Sequence, residues 1–135
     1  MKKFSFLLII ILFLFGCSKK SDNSSAYSNS LQLGTGMNAA TFQLIGVGTS
    51  FAAESTIYFR LESSDDMEGS EVKIQIDKQD GTPFNTFTFS NPQSYGHIFM
   101  SSFSIGDPGN YKATGILTKG TKTIASTNFT IYITK

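Results

Sequence analysis

The chain has no tryptophan, and only one cysteine, one histidine and three prolines in 135 residues. Each shortage closes off a class of protein. With a single cysteine no intramolecular disulfide can form, so any fold must be held by its core alone, even in an oxidising compartment. The lone histidine, His97, restricts hydrolytic chemistry, because a triad needs that base to converge with a nucleophile and a carboxylate. None of the many serines lies in a Gly-x-Ser-x-Gly elbow. An enzyme is therefore not expected. Charge is scarce too: 11 Lys and Arg stand against 10 Asp and Glu, a net charge of +1. No basic cluster is present to neutralise phosphates, which argues against a nucleic-acid partner. No small-molecule cofactor is expected. Helical spacing is missing as well, and beyond residue 38 apolar residues recur with period two.

What the chain does have begins at its amino end. Lys2 and Lys3 precede an apolar run from Phe4 to Phe15 broken only by Ser5. That run is too short to span a bilayer, which takes roughly 20 apolar residues, and it suits a signal-peptide core of about 7–15. Lys19 and Lys20 block its extension beyond Gly16 and Cys17. The stretch Leu14-Phe15-Gly16-Cys17 resembles the lipobox of bacterial lipoproteins, with leucine three residues before the cysteine and a small residue directly before it. The resemblance implies cleavage after Gly16 and acylation of Cys17, so residues 1–16 are a lipoprotein signal peptide. The implied location is the bacterial cell envelope, on the outer membrane in preference to the inner, with the domain outside the cytoplasm. Two or more acyl chains hold a protein stably on a membrane, at about 0.8 kcal/mol per buried methylene.

Residues 17–38 read as the acylated cysteine and a flexible tether, since Ser, Asn, Lys, Gly and Thr dominate and apolar residues are scattered. Residues 39–135 read as one domain. Its first strand alternates Phe42, Leu44 and Gly46 with Thr41, Gln43 and Ile45. A second places Ile57, Phe59 and Leu61 on one face, with Thr56, Tyr58, Arg60 and Glu62 on the other. Val72, Ile74 and Ile76 form a third. The turn Lys78-Gln79-Asp80-Gly81 joins it to a partner strand over Phe84 to Ser90, which Asn91-Pro92 ends. A fifth strand is expected from Tyr95 to Ile105. A closing hairpin carries Tyr111, Ala113, Gly115 and Leu117, then Ala125, Thr127, Phe129, Ile131 and Ile133.

Three clusters carry candidate chemistry. Asp65, Asp66 and Glu68 offer oxygens to calcium, but not in the order of an EF-hand loop, so a solvated acidic loop is the plainer reading and no metal site is assigned. His97 with Met100, helped by Met37 or Met67, has the softness of a copper site; an ordinary strand histidine is the competing reading. Tyr58, Tyr95 and Tyr132 are possible ligand contacts for a sugar, against which stands ordinary cross-strand aromatic pairing.

The run Asp107-Pro108-Gly109-Asn110-Tyr111 resembles the Asp-x-Gly-x-Tyr tyrosine corner of immunoglobulin-like domains, matched at Asp107, Gly109 and Tyr111. The resemblance implies that the Tyr111 hydroxyl returns to nearby backbone at a strand start. The Cys and Trp of true immunoglobulin domains are missing here. The expected architecture is all-β, an immunoglobulin-like antiparallel β-sandwich of about seven strands, with a small closed barrel as the structural rival. The expected function is that of a membrane-anchored, non-catalytic protein-binding or accessory module of the envelope, with a protein partner there. The alternatives are an envelope inhibitor of a protease or other hydrolase, inserting the segment at Pro83 or the loop at residues 91–96, and a carbohydrate-binding lipoprotein.

Overall fold

In the computed structural model, which describes residues 26–90 and 96–135, period-two patterning becomes ten strands. These are β1 (Ser30–Gly34), β2 (Gly36–Asn38), β3 (Gln43–Ile45), β4 (Ser50–Ala52), β5 (Thr56–Glu62), β6 (Val72–Lys78), β7 (Pro83–Phe89), β8 (Ile98–Ser104), β9 (Gly109–Leu117) and β10 (Lys122–Tyr132). No helix forms among the described residues. The signal-like segment, Cys17 and Tyr95 lie outside the described residues.

Two sheets face each other. One runs β1-β5-β8, the other β4-β10-β9-β6-β7, and β2 with β3 makes a separate hairpin. All pairings are antiparallel except that of β4 with β10. The order matches the immunoglobulin-like sandwich, with β1, β5 and β8 at the places of strands A, B and E, and β6, β9 and β10 at those of C, F and G. Strand β7 extends the second sheet.

The core comes from the inward phase of each strand. Ile57, Phe59 and Leu61 of β5 are fully buried against Val72, Ile74 and Ile76 of β6. Phe59 lies at the centre, with ring centroids of Phe89, Phe99 and Phe103 at 5.2, 5.8 and 6.2 Å. Burying one such side chain stabilises the fold by about 1.5–3 kcal/mol. With no disulfide available, apolar burial between the sheets, including the Phe59–Phe89 contact across them, is what joins them.

The corner between β8 and β9 forms as the sequence predicts. The Tyr111 hydroxyl donates to the Asp107 carbonyl at 2.9 Å, while its ring packs on Phe129 with centroids 5.6 Å apart. Gly109 adopts φ 153°, and a Cβ there would touch the Tyr111 ring at 3.4 Å. Burial, and secondarily the Asp107 carboxylate, raise the Tyr111 hydroxyl above its usual pKa of 10.0.

The amino-terminal part needs correction. The tether was expected to reach residue 38, yet Ser30–Gly34 is β1, paired with β5 from Ser30↔Glu62 to Gly34↔Tyr58. Leu31 and Leu33 are buried in the core, so the sandwich starts well before residue 39. The expected first strand shrinks to Gln43–Ile45, and its presumed members Phe42 and Gly46 both take positive φ outside it. The fifth strand starts at Ile98 rather than Tyr95. In β10 a bulge between Thr123 and Ala125 turns Ile124 inward, and the strand ends at Tyr132, leaving Ile133 exposed.

Candidate protein-interaction surface

Between β1 and β4 the chain makes an excursion that the sandwich does not need. Strands β2 and β3 pair from Gly36↔Ile45 to Asn38↔Gln43, and the hairpin folds back along β1. Thr35 N–H donates to the Ile45 carbonyl at 2.9 Å, and Gly48 N–H to that of Leu33 at 3.0 Å. Gly34 makes the close approach possible, since a Cβ there would meet the Ile45 carbonyl oxygen at 2.7 Å.

The tip is built by side chains acting on the backbone. Asn38 Oδ1 accepts from the N–H groups of Ala40 and Thr41 at 3.0 and 3.3 Å, closing an Asx turn. Phe42 then takes φ 53°, a left-handed conformation that a bulky aromatic residue rarely adopts and that stores strain. Its carbonyl is fastened from below: Arg60 Nε of β5 donates to it at 2.9 Å. The same guanidinium reaches Glu62 Oε2 through Nη1 at 2.6 Å. Glu62 Oε1 accepts from Ser28 N–H at 2.8 Å. That backbone bond first, and Arg60 next, hold the Glu62 carboxyl below the usual carboxylate range despite an opposing cost of burial. A polar line thus runs from the entering chain to the hairpin tip.

The hairpin carries apolar side chains into solvent. Met37, Phe42, Ile45 and Val47 are 39%, 45%, 58% and 59% exposed. Beside them an open depression of about 410 Å³ is lined by Phe42, Leu44, Val47, Gln32 and Arg60 among others. Single exposed apolar residues are ordinary, but several gathered on one projecting element mark an interaction surface. The sequence shows this hairpin only as a strand. The signal that would have found it is the set Gly34, Gly36, Gly46 and Gly48 bracketing an apolar run.

The other candidate residues do not converge. Tyr58 lies on the outer phase of β5, half-buried, and Tyr132 on the outer phase of β10, exposed. They sit on the opposite outer faces of the sandwich. His97 has Nδ1 at 2.9 Å from the Ser63 carbonyl, and its ring stacks on Tyr27 with centroids 4.5 Å apart. Met67 is fully buried and Met37 is on the hairpin. In the acidic loop, Asp65 is ion-paired with Lys122, and Asp66 Oδ1 accepts from Glu68 N–H at 2.8 Å. Among the described residues, no three His, Cys, Asp or Glu side chains gather as a ligand set, and no helix is long and apolar enough to cross a membrane. Pro83 is exposed at the start of β7.

No protein-family model matches this chain, and no curated protein is similar to it.

Proposed function

We propose that the protein is a lipid-anchored, non-catalytic binding module of the bacterial cell envelope, and that the β2–β3 hairpin is its recognition surface for a protein partner. The anchor rests on the lipobox-like stretch ending at Cys17. The observation that carries the binding reading is Phe42. An exposed aromatic ring at a hairpin tip is held in left-handed backbone, where glycine would be cheaper, and a hydrogen bond from Arg60 fixes its carbonyl in place. Strain of this kind persists where the surroundings over-determine it, and such outliers cluster at binding sites. A rigid aromatic anchor also loses little conformational entropy on binding.

Two measurements test the two halves. Mass spectrometry of membrane-extracted protein should find an acylated Cys17 as the first residue, and an intact Met1 overturns the anchor. A photo-crosslinking residue at position 45 or 47 should give one discrete protein adduct in envelope membranes, which Phe42→Asp removes. Adducts that persist unchanged in Phe42→Asp, or none at all, overturn the hairpin as the recognition surface.

A further inference from the structure

The two packed sheets end in four lateral strands, and three of these are blunted in recognisable ways. Along β1 the insert covers the far end, where Gly48 N–H takes up the Leu33 carbonyl and Thr35 N–H, just past the strand, bonds the Ile45 carbonyl. Strand β4 has only three residues. Strand β7 opens with Pro83 and its register with β6 slips between Ile76 and Asp77. Short strands, prolines and bulges are the usual protection of an edge.

Strand β8 has none of these. Its seven residues, Ile98-Phe99-Met100-Ser101-Ser102-Phe103-Ser104, contain no charge, proline or glycine. Its register with β5 runs unbroken from Thr56↔Ser104 to Glu62↔Ile98. In the immunoglobulin constant-type sandwich a further strand, D, lies beside this position, and no described residue fills it. The direction of the groups that no described residue takes up follows from one bond. Ser63 N–H donates to the His97 carbonyl at 2.9 Å, so the odd positions point at β5. By the alternation of antiparallel ladders, the N–H and C=O groups of Ile98, Met100, Ser102 and Ser104 point away from the sandwich.

We propose that β8 pairs with β8 of a second copy of this chain, antiparallel, about a two-fold axis through Ser101. The strand is self-complementary about that residue. Reversal places Phe99 opposite Phe103 of the other copy, both on the inner face and at the closer, non-hydrogen-bonded positions. Met100 then meets Ser102, and Ile98 meets Ser104, at positions where the outward groups exchange hydrogen bonds. Shifting the axis to Met100 or Ser102 sets a phenylalanine against Ser101 instead. A neutral edge meeting an identical neutral edge leaves no charge desolvated, and the isologous contact closes on itself. The two three-stranded sheets become one.

The test uses the full chain in its own membrane. Ser101→Cys puts two thiols across the axis at a Cα separation of about 4.5 Å, within the range a disulfide accepts. Mild oxidation should give a covalent dimer. Adding Ser102→Lys, a change on the outer face, should reduce that dimer about tenfold, since it sets lysines beside the axis on both copies. Native mass spectrometry of the unsubstituted protein, extracted in detergent, should show the dimer mass. A monomer there overturns the proposal. So does equal cross-linking from Thr114→Cys on the other sheet, or a disulfide from Ser101→Cys to a different protein. Hairpin adducts should be unaffected by Ser102→Lys, whose neighbour on β5 is Tyr58 and not Arg60, so failure of this pairing leaves the recognition surface standing.

Discussion

The corner at Asp107–Tyr111 and the hairpin at Gly36–Ile45 are both places where the backbone leaves the sheets, and they treat an aromatic residue in opposite ways. At the corner, Tyr111 turns its ring into the core and uses its hydroxyl to tie down the loop; the strained conformation falls on Gly109, which tolerates it. At the hairpin, Phe42 itself takes the left-handed backbone and its ring stays in solvent. The first arrangement lowers the energy of the isolated molecule. The second raises it, which is what a surface kept for something outside the molecule would do.

Substitutions can break or sharpen that contrast. The largest effect is expected at the root of the insert: Leu33→Ala, on the buried face of β1, should cost about 2–5 kcal/mol in urea unfolding, whereas a residue in a tether would cost nothing. Tyr111→Phe keeps the ring and removes the bond to Asp107, for a loss of about 1 kcal/mol. Its pH dependence adds a signature. Because the folded pKa of Tyr111 is raised, the stability tied to the neutral hydroxyl is complete below pH 10 and is lost as pH rises through the folded value. Tyr111→Phe should flatten that alkaline limb. Phe42→Gly should do the reverse of a normal aromatic truncation and stabilise by roughly 0.5–1 kcal/mol. A clear loss of stability would show that the ring serves the fold after all. Ile45→Ser should stay within about 0.5 kcal/mol of the parent.

The smallest effect concerns the polar line beneath the hairpin. The Glu62 carboxyl is lowered by the Ser28 N–H and by Arg60, so its contribution is present above the unfolded carboxylate pKa and fades as pH falls through the folded one. Glu62→Gln should therefore lower stability slightly at neutral pH and flatten the acid limb of the profile, the two proteins converging as pH falls through the folded value.

The sequence showed the centre of this fold and hid its beginning, for reasons visible in particular strands. Strand β5 alternates strictly over Thr56–Glu62, so its phase was unmistakable, and Asp107, Gly109 and Tyr111 announce a turn by residue type alone. Strand β1 presents only Leu31 and Leu33 to the core, amid Ser and Asn that dilute any window drawn around them. Strand β4 depends on Phe51 pairing in parallel with Ile131, a partner far along the chain that local patterning cannot reveal. In β10 one extra residue at the bulge shifts the phase from Ala125 to Ile124, since a slip of one turns every side chain to the other face. The hairpin is hidden in the sequence because its apolar residues alternate like those of a buried strand, though no described residue covers Phe42, Ile45 or Val47.

That β1 belongs to the sandwich also alters how an anchored molecule would stand. Ser28 is already bonded to Glu62, so the chain between Cys17 and that contact spans at most about 40 Å even when fully drawn out. With acyl groups on Cys17, the domain would be kept at short stand-off, with the start of β1 toward the lipid. Because the hairpin folds back along β1 and Phe42 is fastened to Arg60, opposite Gln32, the ring would be held midway along that strand and facing sideways, level with a partner standing on the same membrane.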